Sequence, residues 1–382
     1  MFQKMRAIFL WLHRWVGLAA ALLVVVLAAT GVVLVFENEI DRMLNPQISY
    51  VKPSGPRLSV TDLMGSVRQA FPKERIQNIG FPSDEKLAVQ VMLGTGRRVS
   101  VDPYTGKVLG SRGFGDSLVH SIRELHVRLL FPPVTVALAK GTRTSPSKVG
   151  SQIVGWTTVI LLGISITGMF VWFPRMAWKL DPRTGWKRIN FDLHNLTGLY
   201  TLFFAIVLAV TGIVMSFEAP KKWVYSAFPM HDTDEPPEVE LRRGVKMLPV
   251  EAAVEAARRT FPGAAVASLN MPSPPNWSYN VAMRFPGDVS VSGRSRVAVD
   301  PYTGEVLFKE DYRDEQTAAK ILRMMRPLHT GDIFGWPTRI LAALASLMIV
   351  AQVVTGVIMW VVRSFKSKTK TAVAEPKIEV TV

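Results

Sequence analysis

The chain has 382 residues, of which 48% are hydrophobic, and it carries a net charge of +15 with no cysteine. That length allows two or three domains. The lack of cysteine excludes disulfides, thiolate-held zinc or iron–sulfur centres, and covalent haem attachment through C-x-x-C-H. The charge does not point to nucleic acid, because it is gathered beside apolar runs: Lys4, Arg6 and Arg14 at the start, Arg175 to Arg188 in the middle, and Arg363 to Lys370 near the end.

Four apolar runs stand out: Ile8 to Phe36, Ile153 to Phe173, Leu193 to Phe217, and Ile340 to Val362. Each meets the roughly 20 residues that a bilayer's hydrocarbon layer requires, with ionisable residues only near the ends. The first run is too long for the apolar core of a signal peptide and recurs later, so it is expected to be retained. The flanking basic residues place both termini and the short middle loop on the cytoplasmic side. Both long polar segments are then expected outside, in a periplasm. The division read from the chain is 1–37 (N-terminus and first membrane helix), 38–149 (first extramembrane domain), 150–174 (second helix), 175–190 (basic loop), 191–217 (third helix), 218–334 (second extramembrane domain), 335–362 (fourth helix) and 363–382 (tail).

The chain is an internal duplication. Leu12-His13-x-x-x-Gly17-Leu18 recurs as Leu193-His194-x-x-x-Gly198-Leu199, and Thr30-Gly31 recurs at the same spacing as Thr211-Gly212. Val101-Asp102-Pro103-Tyr104-Thr105-Gly106 recurs as Val299-Asp300-Pro301-Tyr302-Thr303-Gly304. Leu125-His126 is matched by Leu328-His329, and Thr167-Gly168 before Trp172 by Thr355-Gly356 before Trp360. So many ordered matches make two repeats of helix, extramembrane domain, helix.

The extramembrane halves read as α+β. Arg57 to Ala70 and Leu248 to Thr260 are amphipathic helices, each closed by Phe-Pro. Lys86 to Leu93 and Tyr279 to Phe285 alternate as strands do. Asp-Pro-Tyr-Thr-Gly is a turn, with Pro fixing φ and Gly supplying φ > 0. It joins Arg98–Val101 to Lys107–Leu109 and Arg296–Val299 to Glu305–Phe308 as hairpins. Asp116 to Leu130 and Glu315 to Met325 are helical lead-ins to the membrane.

Of six histidines, four occupy repeat-matched positions. His13 and His194 lie at the cytoplasmic ends of the first and third helices; His126 and His329 lie just before the second and fourth. Two facing pairs suit two noncovalent b-type haems with bis-histidine ligation, since neutral imidazole is a common axial ligand. Gly17 and Gly198 share a helix face with their histidines and would let a flat porphyrin approach. Taken singly, His13 and His194 also read as interfacial anchors and the glycines as helix-packing residues. His120 is the rival to His126, but Arg323 stands at its repeat partner's position. His120 and His231 otherwise read as surface residues. The Thr-Gly pair in each membrane helix either clears room for a macrocycle or brings helices close. A stretch of some fifteen extra residues, Phe131 to Lys148, separates His126 from the second helix and makes this pair the less secure one.

A helix, a short strand pair and the V-D-P-Y-T-G-[KE]-V-L hairpin, flanked by L-H-x-x-x-G-L and T-G-x-x-x-W helices, resemble the PepSY-associated transmembrane family along nearly the whole chain. The two-repeat, cysteine-free form is similar to dihaem ferric-siderophore reductases of the ferrioxamine B type. That resemblance implies an inner-membrane oxidoreductase. It would take electrons from an unidentified cytoplasmic or membrane donor and reduce Fe(III) in a hydroxamate-type siderophore held in the periplasm. The loop Met271 to Tyr279, with Trp336, offers aromatic surface for such a chelate or is an ordinary proline-rich loop beside a membrane-belt tryptophan. Two other readings remain open: a PepSY-type membrane-anchored regulatory or binding protein, and a dihaem cytochrome serving another periplasmic acceptor. No nucleotide-binding fingerprint and no H-E-x-x-H occurs.

Overall fold

The computed structural model describes residues 2–113, 115–129, 145–173, 180–228, 239–240, 242, 244–274, 277–288, 290 and 292–371. His231 and most of the stretch after His126 lie outside these residues, as do Arg175 and Lys179 of the basic loop and Pro275 and Asn276 of the proline-rich loop. In chain order the first repeat comprises α1 (Phe2–Leu34), α2 (Glu37–Leu44), α3 (Pro46–Ser49), α4 (Val60–Ala70), β1 (Ile76–Gly80), β2 (Val89–Leu93), β3 (Arg98–Val101), β4 (Val108–Arg112), α5 (Leu118–Arg128) and α6 (Pro146–Trp172). The second comprises α7 (Trp186–Ser216), α8 (Glu218–Ala227), α9 (Val250–Thr260), β5 (Ala265–Asn270), β6 (Tyr279–Arg284), β7 (Ser295–Val299), β8 (Val306–Glu310), α10 (Thr317–Thr330), a 3-10 turn at Asp332–Phe334 and α11 (Trp336–Thr371). The chain divides into two compact units, one of Met1–Phe36, Ile122–Lys222 and Met324–Val382, the other of Glu37–Ser121 and Trp223–Arg323.

The first unit is a membrane bundle. Four helices are long and apolar enough to span a bilayer, over Gln3–Leu34, Pro146–Trp172, Trp186–Ser216 and Trp336–Phe365. In a bilayer the backbone has no water to bond, so these runs close their hydrogen bonds internally as helices. α1 and α7 each pack against both α6 and α11. The seam is lined by small and branched residues: Ala20, Val24 and Ala28 of α1 meet Ala205 of α7 and Ile349 of α11, with Ile160, Ile164 and Leu208 around them. Small side chains let helix backbones approach where no hydrophobic effect drives them together.

The second unit holds one eight-stranded antiparallel sheet, ordered β4-β3-β2-β1-β5-β6-β7-β8. The sequence reading gave three strands per repeat; β1 and β5 are additional. They are also the seam between the repeats, pairing Asn78 with Asn270, Ile79 with Leu269 and Gly80 with Ser268. α4 and α9 cover one face, where Leu63, Val67, Ala253 and Ala257 bury against Val91, Val99, Val281 and Val297. The Asp-Pro-Tyr-Thr-Gly turns form as expected. Asp102 accepts from Tyr104 N (2.9 Å) and Thr105 Oγ1 (2.8 Å), Asp300 accepts from Tyr302 N (2.7 Å), and Gly106 and Gly304 take φ of 73° and 77°. At this sheet's edge Arg112 grips Asp41 of α2 through two bonds of 2.6 and 2.7 Å, with Ser117 donating to the same carboxylate at 3.2 Å. Burial alone would raise the Asp41 carboxyl, but Arg112 and Ser117 outweigh it and hold it below the usual aspartate range.

α5 and α10, the lead-in helices, deliver His126 and His329. α10 runs on to Thr330, past the predicted end, through an internal Pro327. α5 is seated by a close backbone approach: a Cβ on Gly150, at the start of α6, would overlap the Arg128 carbonyl oxygen. Only glycine allows the last turn of α5 to rest there. This contact places His126 whatever path the chain takes between residues 129 and 145.

Candidate cofactor site: two histidine pairs in the helix bundle

The four repeat-matched histidines come together as two pairs. His13 of α1 faces His194 of α7 with ring centroids 6.3 Å apart and planes at 79°. His126 of α5 faces His329 of α10, also at 6.3 Å, with planes at 63°. Within α1, His13 is seventeen residues from Thr30, which touches His126. At 1.5 Å per residue this sets the two pairs about 25 Å apart along the bundle. Each pair takes one histidine from each repeat.

Each imidazole is fixed by the Thr-Gly pair of a helix in its own repeat. His126 Nδ1 lies 2.9 Å from Thr30 Oγ1, and His329 Nδ1 lies 2.9 Å from Thr211 Oγ1. His194 Nδ1 is 2.9 Å from Thr355 Oγ1; His13 Nδ1 is 3.4 Å from Thr167 Oγ1 and 3.1 Å from the Ile164 carbonyl. The glycine after each threonine receives the ring edge. A Cβ there would meet His126 Cε1 at 3.6 Å from Gly31, His13 Cε1 at 3.0 Å from Gly168, His329 Cε1 at 3.4 Å from Gly212, and His194 Cε1 at 3.3 Å from Gly356. The sequence marked these pairs as recurring but attributed them to macrocycle clearance or helix packing. Their role as histidine supports was hidden because each acts on a residue 96 to 161 positions away.

A cavity of about 270 Å³ opens around the His13–His194 pair. It is walled by Gly17, Leu18, Gly168, Gly198, Leu199, Gly356 and Trp360. Gly17 faces open space, with nothing within 4 Å of a would-be Cβ, whereas Gly198 backs onto Gln352 Oε1 at 3.1 Å. Gln352 was not singled out from the sequence. Its amide donates to the His194 carbonyl at 2.7 Å and to Thr197 Oγ1, pinning the turn that carries His194. Its repeat partner is apolar Ile164, so no internal symmetry drew attention to it. Arg14 and Arg363 also border the cavity.

His120 sits on α5, half-buried, but it is His126 that faces His329. Trp336 stacks on Phe36 with centroids 5.8 Å apart, and Arg339 lies over both rings while bonding the Val35 carbonyl at 2.6 Å. Trp277 of the proline-rich loop lies under the Arg75 guanidinium, 5.7 Å away. Glu218, at the start of α8, pairs with Lys221 at 2.7 Å on the surface.

The fold thus defines a four-helix membrane protein with an α+β extramembrane unit and two matched histidine pairs inside the bundle. The chain matches the PepSY-associated TM region over residues 10–363 and belongs to that family. No curated protein matches it.

Proposed function

We propose that the chain is a dihaem b-type oxidoreductase of the bacterial inner membrane that passes electrons across the bilayer to ferric siderophore in the periplasm, releasing iron as Fe(II). The observation that carries this reading is the equal spacing of the two histidine pairs. A metal–imidazole bond is about 2.0–2.1 Å and the ring centroid lies about 1.1 Å beyond the nitrogen, so two imidazoles on opposite sides of one metal keep their centroids about 6.2–6.4 Å apart. Both pairs stand at 6.3 Å. Among the described residues, no cluster of three or more His, Cys, Asp or Glu gathers. A bare ion would therefore find two protein ligands at each pair, too few for a protein-held centre. Two histidines are instead the donor set that would hold a noncovalent haem.

His13 and His194 would hold the inner haem, and His126 and His329 the outer one. Haem so bound supplies one-electron exchange between Fe(III) and Fe(II), at a potential set by ligation, burial and hydrogen bonding. The residues of this chain would position it: the threonines orient the four rings, Gly17 leaves the cavity open, Gly168 makes room for the His13 ring, and Ala20, Val24, Ala205 and Ile349 form an apolar seam between the two levels. The basic residues beside the helix ends support cytoplasmic termini, which puts the His126–His329 pair toward the periplasm. There the oxidant is the siderophore's Fe(III). Hydroxamate oxygens hold Fe(II) far more weakly than Fe(III), so one electron frees the ion with the chelator intact.

The test is stopped-flow reoxidation. Dithionite-reduced protein in nanodiscs, mixed with a ferric hydroxamate siderophore, should reoxidise while an Fe(II) chelator captures one iron per electron. A reduced spectrum that persists in ferric siderophore but decays with a periplasmic redox protein would replace the siderophore with another acceptor.

A further inference from the structure

The four threonines use their hydroxyls in a way that dictates the chemistry of the histidines. Each hydroxyl hydrogen is committed to its own helix: Thr30 donates to the Val26 carbonyl at 2.7 Å, Thr211 to Val207 at 2.7 Å, Thr355 to Ala351 at 2.7 Å and Thr167 to Gly163 at 2.9 Å. A hydroxyl has one hydrogen and two lone pairs. Its oxygen must then accept from the imidazole, and the Nδ1 facing it must carry the proton. At His13 a second acceptor agrees: the Ile164 carbonyl lies 3.1 Å from the same Nδ1. Carbonyls only accept. With the proton held on Nδ1, the lone pair is left on Nε2, and the threonine contact of each ring falls on Nδ1.

We infer that Thr30, Thr167, Thr211 and Thr355 are positioning residues, each locking one histidine in the Nδ1–H tautomer so that Nε2 presents its lone pair to the centre of the pair. The following glycine is part of the device, because it gives the ring edge a floor without a side chain. The wiring is also specific. Each threonine serves a histidine of its own repeat, while the ring opposite comes from the other repeat. α1 thus supplies a ligand to one pair and an orienting hydroxyl to the other, and so does α7. Each helix pair is a self-contained clamp, and two clamps placed together complete both centres. The assignment of an iron ligand to Nε2 rests on the proposed function; the tautomer does not.

The experiment uses full-length protein in nanodiscs with single substitutions Thr30→Val, Thr167→Val, Thr211→Val and Thr355→Val, each paired with the serine variant. Valine keeps the shape and removes the hydroxyl; serine keeps the hydroxyl. Outer hydrogen-bond partners of ligating histidines are worth about 10–100-fold in affinity. Haem affinity should therefore fall by about that factor at one centre only: the His126–His329 centre for Thr30 and Thr211, the His13–His194 centre for Thr167 and Thr355. Serine should restore it. In parallel, the nitrogen shifts of ¹⁵N-histidine-labelled protein stripped of haem should report four Nδ1–H imidazoles, with only the corresponding one altered in each valine variant. Equal losses in the valine and serine variants would reduce the threonines to packing residues, and Nε2–H tautomers in the wild type would overturn the proposal. If the wild type binds no haem at all, the functional reading fails, and the nitrogen shifts alone decide on the clamp.

Discussion

The ring of His126 stands as far from that of His329 as His13 does from His194, 6.3 Å in each case, although the first two ride on lead-in helices and the others on membrane helices. The same spacing thus arises twice from different backbone settings. What the settings share is a threonine on Nδ1 and a glycine against Cε1. The predictions below follow from this pairing.

On the proposed dihaem reading, His13 and His194 share the inner centre, so replacing either with alanine should cost one haem of two and keep the outer one. Haem quantification by pyridine haemochrome, with the reduced-minus-oxidised spectrum, measures this. His126→Ala and His329→Ala should remove the other haem. His120→Ala should leave both, because His120 does not face His329.

Gly150→Ala tests the seat of α5. A Cβ there would overlap the Arg128 carbonyl oxygen, so α5 must lift from α6 and carry His126 with it. The His126–His329 centre should weaken at least tenfold, with the inner centre unchanged. Gly163→Ala on the same helix, whose Cβ would meet nothing within 4 Å, is the control and should bind both haems normally.

The extramembrane unit carries its own pH dependence. Asp41 is held below the usual aspartate range by Arg112 against the cost of burial. Its folded value lies below its unfolded one, so its contribution is complete above the ordinary carboxylate range and is lost as pH falls through the folded value. Hydrogen bonds to charged groups are worth about 1.5–3 kcal/mol. Asp41→Asn should lower amide-exchange protection in β4 by a comparable amount at pH 7, and the difference from wild type should vanish in acid.

How much of this was legible in the chain depended on whether a feature repeats locally. The four spans, the Asp-Pro-Tyr-Thr-Gly hairpins and the matched histidines announced themselves through hydropathy or duplication. β1 and β5 did not. Ile76–Gly80 is five residues long and contains Gln77, Asn78 and a terminal Gly80, a poor strand pattern that is held as a strand from both sides, Ile79 pairing with Val91 of its own repeat and with Leu269 of the other. The threonine clamps escaped for the same reason. Thr30 in α1 was legible only as part of a recurring Thr-Gly pair that clears room for a macrocycle or brings helices close, and nothing nearby discloses its partner 96 residues on. Gln352 was invisible because its repeat partner is Ile164, so duplication pointed away from it. The stretch between His126 and α6 raised the opposite concern: an insertion there threatened the pair, and Gly150, in the helix beyond it, secures it.

The most direct test of the two-centre account is an absorption spectrum with haem quantification on the purified wild-type protein and its four single His→Ala variants. The account predicts a Soret band and a reducible α-band with two noncovalent haems per chain, falling to one in every variant. A colourless wild-type protein, or two haems retained after loss of His13 or His194, would contradict it.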